Sequence, residues 1–507
     1  MSLRRENLTI ALLAAAGVFY LIFILRTSFN INGQPFFTLV DDAMISMRYA
    51  RNLAQGYGLV WNIGQPPVEG FTNLGWTLLL TIIHLLPISQ PYISLVVMLI
   101  GAAILLANIL VVIQITNFLK PTARYAPLIA ATITAFYFPF VFWTLRGLEV
   151  GALFLTLNLA LLFSLRLTLD PKPATVFWLS LCLCISLLIR LDAFLQIGIL
   201  LAYIFIKKPR AAVLPFISSI LFLIATLVFQ RFYFGDFFPN TYYLKVSGVP
   251  LTERVWLGLT VLIDYASRDF LMPLLFSILA WVVYKDFRSR EMFILLSLFI
   301  VQILYSVWVG GDYAEDALDS ANRFTAQGMT GLIILFCLAL ERFLENVNTS
   351  QPGPVFAIVV GIGVLVVMSG EPWEKWMINN APMHRTDIQR VQLGLRIQSS
   401  TDPSAVIAVH AAGQIPYFSQ RTTIDLLGKS DPLIAKGPPA ATFMPGHNKW
   451  NYEYSIGVLK PDVIADNFFK LRSFMETNTD YQRLPNGIYV RKDSTLVDFA
   501  GLQVEHP

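Results

Sequence analysis

The sequence is short of charge and nearly free of cysteine. Only 14% of its 507 residues are charged against 55% hydrophobic, and it holds three cysteines. So little charge cannot cover a soluble chain of this length, and a mean hydropathy of +0.60 marks a polytopic membrane protein. The net charge is +4 with no long basic tract, which argues against nucleic acid as a partner. Cys182 and Cys184 share one apolar run and Cys337 lies in another, so they read as small hydrophobes and imply no disulfide framework. The absence of G-x-x-x-x-G-K-S/T leaves no nucleotide cradle and makes a nucleotide partner unexpected. The absence of G-x-S-x-G and H-E-x-x-H removes serine hydrolases and zincins. His384, His410 and His447 are scattered and read as solvent or core histidines. No repeat of fixed period and no low-complexity tract occurs, which weighs against a carrier built on repeat symmetry.

What is present is a series of apolar runs. Eleven are candidate membrane helices: 8–26, 92–118, 125–143, 148–166, 174–190, 193–206, 211–230, 268–284, 291–309, 324–341 and 355–370. The first continues past the alanines at 14–16 and reads as an uncleaved span. The run 74–86 extends only about 20 Å as a helix, against a hydrocarbon core of about 30 Å, and is predicted to lie at the interface. With that run on the surface, thirteen cations in short connections fall on one side: Arg4, Arg5, Lys120, Arg124, Arg166, Lys172, Lys207, Lys208, Arg210, Lys285, Arg288, Arg290 and Arg342. This bias places the amino terminus in the cytoplasm and the loop 27–91 outside. From 371 onward polar residues return, and 404–428 reads as strand, turn or short helix, strand, with further short strands at "DVIA" and "GIYVRKD". The expected organisation is a transmembrane part, 1–370, followed by an extracytoplasmic α/β domain, 371–507.

On that topology the acidic residues gather at the outer ends of the spans: Asp41 and Asp42, Arg146 with Glu149, Arg190 with Asp192, Asp236 with Asn240, Asp264 with Asp269, and Asp312. Charge within a membrane costs about 2.5 to 3.5 kcal/mol, so Arg190 and Asp192 need partners or water. The aromatic cluster 136–143 suits an interfacial belt, and also a groove for an isoprenoid tail. Asp41 or Asp42 is expected to cap a helix ending near Gln55 and Gly56, with 58–72 as a hairpin turning at Gly64, Pro66 and Pro67. Capping needs one carboxylate, and there are two. A carboxylate at the water boundary can take a proton from an acceptor hydroxyl, while arginines such as Arg48 stabilise a departing phosphate.

The stretches "DDAMISMRYARNLAQGYGLVWN", "VEGFTNLGW", "WTLRGLEVGALF", "FGDFFPNTYYLK", "VGGDY...NRF" and "AAGQIPYFS...IDLLGKSDP" resemble the membrane glycosyltransferases of the GT-C class. Their nearest branch is typified by the mycobacterial terminal arabinofuranosyltransferase, and the resemblance runs from residue 38 to about 465. It implies an α-helical polytopic fold of about eleven spans, a polyprenyl-phosphate sugar donor, a glycan or lipid acceptor, and an outer active site among membrane lipids. It also implies Asp41 as base, Asp42 as its orienting or cation-binding partner, and Arg48, Arg146, Glu149, Arg190, Asp192, Asp236, Asn240, Asp312 and Arg323 as substrate contacts. The loop "DYAEDALDSANRF" is longer and more acidic than the pattern, which bears on Arg323 as a phosphate ligand. Paired acids can hold a divalent cation, but neighbours in a helix cap point apart, and no metal is assigned. A lipid-linked sugar transporter and a non-catalytic envelope assembly protein are the competing functions.

Overall fold

The computed structural model describes residues 2–312, 322–346, 353–379, 382–465 and 470–503. The chain divides into two compact units. One is formed by Met1–Arg26, Val97–Thr226 and Leu251–Ala381, the other by Thr27–Val96, Leu227–Pro250 and Pro382–Pro507.

Each of the eleven apolar runs is helical. Six described helices are long and apolar enough to cross a bilayer, or eight if each of two bent pairs is one crossing. That makes the chain a multi-pass membrane protein. The difference from eleven lies in segments such as Phe194–Lys207 and Leu271–Val283, of 14 and 13 residues, and in a pair absent from the sequence count, Asn240–Val246 with Leu251–Asp269, bent by 90°. A 49° bend separates Ala126–Phe136 from Phe138–Leu145, where Pro139 has no N–H to donate and the Phe138 amide turns to Ser369 Oγ at 2.9 Å. The start of Ala126–Phe136 is satisfied by Glu341, whose carboxylate accepts from the amides of Arg124, Tyr125 and Ala126 at 2.6, 2.8 and 3.0 Å. Small residues let helices approach: a Cβ on Gly331 would meet Leu295 O at 2.5 Å.

The second unit is built around a five-stranded sheet, ordered β4 (Thr422–Asp425), β3 (Val406–Val409), β5 (Val463–Ile464), β7 (Tyr489–Arg491), β6 (Tyr481–Arg483). β3 runs parallel to β4 and β5, while β7 is antiparallel to β5 and β6. Between β3 and β4 lies the helix Gln414–Ser419, giving the expected strand, short helix, strand. The core joins Ile407, Val409, Val463 and Val490 of the sheet to Tyr49, Trp61 and Phe71 of the segment 27–96.

Two local expectations fail here. The segment 58–72 contains no strand. Its carbonyls are claimed by side chains: Asn52 Nδ2 donates to Val60 O at 2.8 Å, Arg48 Nε to Trp61 O at 2.6 Å, and Tyr49 Oη to Val68 O at 2.6 Å. The hairpin instead joins β1 (Phe29–Ile31) and β2 (Gln34–Phe36) through Asn32 and Gly33, both at positive φ, the arrangement an Asn-Gly turn favours. Neither acid caps the helix Asp41–Ala54 either. Its N-cap is Val40, whose side chain has no group to bond the first amides.

Arg48 is a strut. Its buried guanidinium donates to Trp61 O, Pro416 O, Thr423 Oγ1, Asn62 Oδ1 and Arg421 O at 2.6 to 3.2 Å, and it stacks 4.8 Å over the Trp61 ring. With its donors so occupied, it ties the Asp41–Ala54 helix to β4 and offers little to a ligand. Arg48→Met strands those acceptors without their cation and is expected to destabilise the fold by about 3 to 5 kcal/mol, read as a lowered unfolding midpoint in detergent.

Candidate functional site

Asp41 and Asp42 open the Asp41–Ala54 helix and face different partners. Asp41 Oδ1 accepts from the backbone amides of Gly413 and Gln414 at 3.2 and 2.9 Å. It thus satisfies the first amides of the Gln414–Ser419 helix, not those of its own. Both bonds fall on Oδ1, and among the described residues Oδ2 accepts none. Gly413 makes the approach feasible, because a Cβ there would collide with the Asp41 carbonyl. The Gln414 side chain completes the clamp, donating to Leu39 O at 2.9 Å and to Asp387 Oδ1 at 2.7 Å. Burial pushes the half-buried Asp41 carboxyl above its ordinary 3.8, and the cations of Arg390 and Lys429 partly offset this.

Asp42 meets Lys429, whose Nζ lies 2.5 Å from Asp42 Oδ1. Burial alone would lower the Lys429 ammonium, but Asp42 and Asp41 outweigh it and hold the pKa above 10.5. An ammonium therefore stands where paired acids invite a cation, and among the described residues no group of three or more His, Cys, Asp or Glu gathers to hold a metal. His447, half-buried and close to Lys429, is pushed down to about 3, chiefly by burial, and is neutral near pH 7. Below this pair, Asp425 accepts from the amides of Leu427, Gly428 and Ser430 at 3.0, 3.1 and 2.7 Å, shaping the turn that presents Lys429. Lys429 escaped the residue-by-residue sequence reading although it sits in the quoted "IDLLGKSDP".

Asp236 is also in this unit. Burial alone would raise it, but Lys436 at 2.5 Å and the Tyr243 hydroxyl at 2.9 Å hold its carboxyl below 3.8. Asn240 begins the Asn240–Val246 helix, and its buried Nδ2 has no hydrogen-bond partner among the described residues. Its backbone N–H donates to the backbone carbonyl of Glu69 at 3.0 Å. Glu69, missed by the sequence reading, is buried, and its carboxyl accepts from Gln230 Nε2 at 2.9 and 3.0 Å; burial pushes it up to about 8.

The other predicted contacts lie in the unit of membrane helices. Arg190 donates to Glu149 at 2.7 Å and to both oxygens of Asp192 at 2.9 and 2.6 Å, a fork-to-fork pair with a second acid behind it. Arg323 lies 3.1 Å from Asp312 and 5.7 Å from the centre of the Trp143 ring. The loop segment 313–321 between them lies outside the described residues. Arg146 is fully buried with its guanidinium 5.8 Å from the Trp376 ring. Within the unit, Arg190 and Arg323 each have a carboxylate beside them, as charge in a membrane requires.

A family described as a domain of unknown function (DUF8728) matches residues 380–502. No curated protein matches. Among solved structures, ArnT from Cupriavidus metallidurans bound to undecaprenyl phosphate is similar at a TM-score of 0.56 and 11% identity, over 96% of this chain and 99% of that one. The oligosaccharyltransferase AglB from Archaeoglobus fulgidus, in complex with an inhibitory peptide and a dolichol-phosphate, is similar at 0.56 and 12%, over 83% of this chain and 64% of that one. The same archaeal enzyme with zinc and sulfate gives 0.55 and 13%, over 82% and 62%. This chain thus spans less than two thirds of the archaeal enzyme's length. The likeness shows the fold: α-helical, polytopic, of the GT-C type, with a C-terminal α/β region.

Glu69 generates a pH dependence. Its folded value of about 8 lies above the ordinary 4.5, so the folded protein holds that proton more tightly, and the stability it lends is complete below about 4.5 and lost as pH rises through 8. Relative to Glu69→Gln, the wild-type unfolding midpoint is expected to fall from about pH 5 to about pH 8, by up to about 1.4 kcal/mol per unit. Parallel midpoints across that range would contradict a buried neutral carboxyl.

Proposed function

We propose that this chain is a glycosyltransferase that moves a sugar from a polyprenyl-phosphate donor to a cell-envelope glycan or lipid acceptor. It acts on the extracytoplasmic side of a bacterial inner membrane, with the amino terminus in the cytoplasm and the region from 371 onward outside. The observation that carries the reading is the state of Asp41: one oxygen pinned by two amides, the other carrying no hydrogen bond among the described residues, and a carboxyl lifted by burial. That is how a general base is built, because a fixed and poorly solvated carboxylate keeps its affinity for a proton. Asp41 Oδ2 takes the proton of the acceptor hydroxyl as its oxygen bonds to the anomeric carbon. The bond from that carbon to the phosphate oxygen breaks, and the lipid phosphate leaves with the electron pair. Asp42 holds Lys429, whose ammonium steadies the ionised form of Asp41. No metal enters the scheme.

Arg146, Glu149, Arg190, Asp192, Asp236, Asn240, Asp312 and Arg323 are proposed as contributors to substrate binding, with the arginines matched to phosphate. Arg48 is left out, since protein acceptors take up its guanidinium. The resemblance to the arabinofuranosyltransferase branch makes a pentofuranosyl donor the first to try. Two GT-C structures of like fold, ArnT and AglB, are complexes with undecaprenyl phosphate and dolichol-phosphate, which supports the lipid carrier.

The test is transfer from a panel of polyprenyl-phosphate sugars by purified protein. Asp41→Asn is expected to fold and to lose about 10²- to 10⁴-fold in rate, and turnover near the wild-type level would reject the base. Asp41 must be ionised to accept a proton, so kcat/KM should fall on the acid side with a limb above the ordinary aspartate range. Lys429→Met removes a cation that lowers the Asp41 pKa and should move that limb to higher pH, whereas Lys429→Arg should not. An unmoved limb in Lys429→Met would detach Lys429 from the base.

A further inference from the structure

The region 382–507 contains a cleft of about 390 Å³ that the proposed chemistry does not use. Its walls include Trp450, Tyr452 and Phe474, with Pro439 and the polar side chains of Asn451 and Glu453. Tyr452 is the fixed centre of the aromatic wall. It is buried, its hydroxyl is hydrogen-bonded to His410 Nε2 at 3.0 Å, and its ring centre lies 6.1 Å from that of Trp450, at 22°, and 5.8 Å from that of Phe474. Trp450 and Phe474 are half-buried, while Asn451 and Glu453 are exposed. The Tyr454 backbone N–H donates to Asn451 Oδ1 at 3.1 Å, which orients the side-chain amide and leaves its NH₂ as a donor in a cleft that Glu453 also lines.

This lining selects a ligand chemistry. Apolar ring faces suit the C–H face of a sugar, and an amide and a carboxylate lining the same cleft supply the donor and acceptor that hydroxyls require. Among the described residues no Lys or Arg lines the cleft, so a phosphate or other anion finds no counter-charge there. Among the described residues none of its walls belongs to a strand, so an extended peptide finds no backbone edge to pair with. The volume falls within the range of about 300 to 1,000 Å³ typical of small-molecule sites. We propose that this cleft binds neutral sugar units of the acceptor glycan, away from the reacting hydroxyl. Naming the glycan as acceptor rests on the glycosyltransferase reading; the binding of sugar does not.

The experiment is saturation-transfer difference NMR on the full-length protein in detergent, with neutral tetrasaccharides of arabinose, galactose, glucose or mannose as probes. At least one is expected to bind, with saturation strongest on its ring C–H protons. Trp450→Ala and Glu453→Ala should each weaken binding by about tenfold. Glu453 is exposed, so its variant reports even if removing Trp450 disturbs the fold. Failure of every probe to bind, or binding undiminished in the Glu453 variant, overturns the proposal. Asp41→Asn should bind the same sugar as the wild type. Sugar binding that persists while Asp41→Asn still transfers would sink the catalytic reading and leave the cleft standing.

Discussion

The contact between Asp41 and Gly413 is the constraint on which the site depends. It joins residues 372 apart in sequence, and its closeness excludes any side chain at 413. Asp41 is the first residue of the Asp41–Ala54 helix, and its carboxylate satisfies the amides that open Gln414–Ser419, so the segment 27–96 and the region from 382 share one frame. Arg48 repeats the tie from the next turn but one of the same helix, through β4 and the chain leading to it. The role proposed for Asp41 requires that fixity, since the reach of a general base to a hydroxyl is set within fractions of an ångström.

Charge is handled differently in the two units. In the membrane helices Arg190 and Arg323 lie against carboxylates at hydrogen-bond distance, which lowers the cost of holding them there. In the other unit the charges are allowed to compete. Burial lifts Asp41 and Glu69, Lys429 pulls Asp41 back, and His447 stays neutral beside the ammonium. Titratable groups pushed apart by their surroundings are a common mark of a working site. The pair Asp41 and Asp42 is divided: one oxygen of the first carries no hydrogen bond among the described residues, while the second is paired with Lys429.

Much of the fold was legible because it rests on local patterns. Hydropathy located the apolar helices, and alternation located the strand, short helix, strand of 404–428. The misses share a cause. The 58–72 segment carried turn residues suited to a hairpin, yet Arg48, Tyr49 and Asn52 took its carbonyls, a competition that no local pattern reports. The Asn32–Gly33 turn is the exception, since an Asn-Gly pair is itself a local turn signal. In the site, the acids stood out as an adjacent pair, but their partners could not. Lys429 lies 387 residues from Asp42, and Glu69 becomes notable only once Gln230 and burial surround it. The resemblance to GT-C enzymes named stretches of chain without saying which side chain meets which.

The central claim is that the unpaired side of Asp41 faces the reacting bond. A density map of the Asp41→Asn variant, purified with a polyprenyl-phosphate sugar it can bind but not turn over, tests this most directly. The account predicts density for the phosphate and its first sugar beside position 41, with the anomeric carbon facing the substituted side chain. A donor settled elsewhere in the protein, with ordered solvent alone beside position 41, would contradict it.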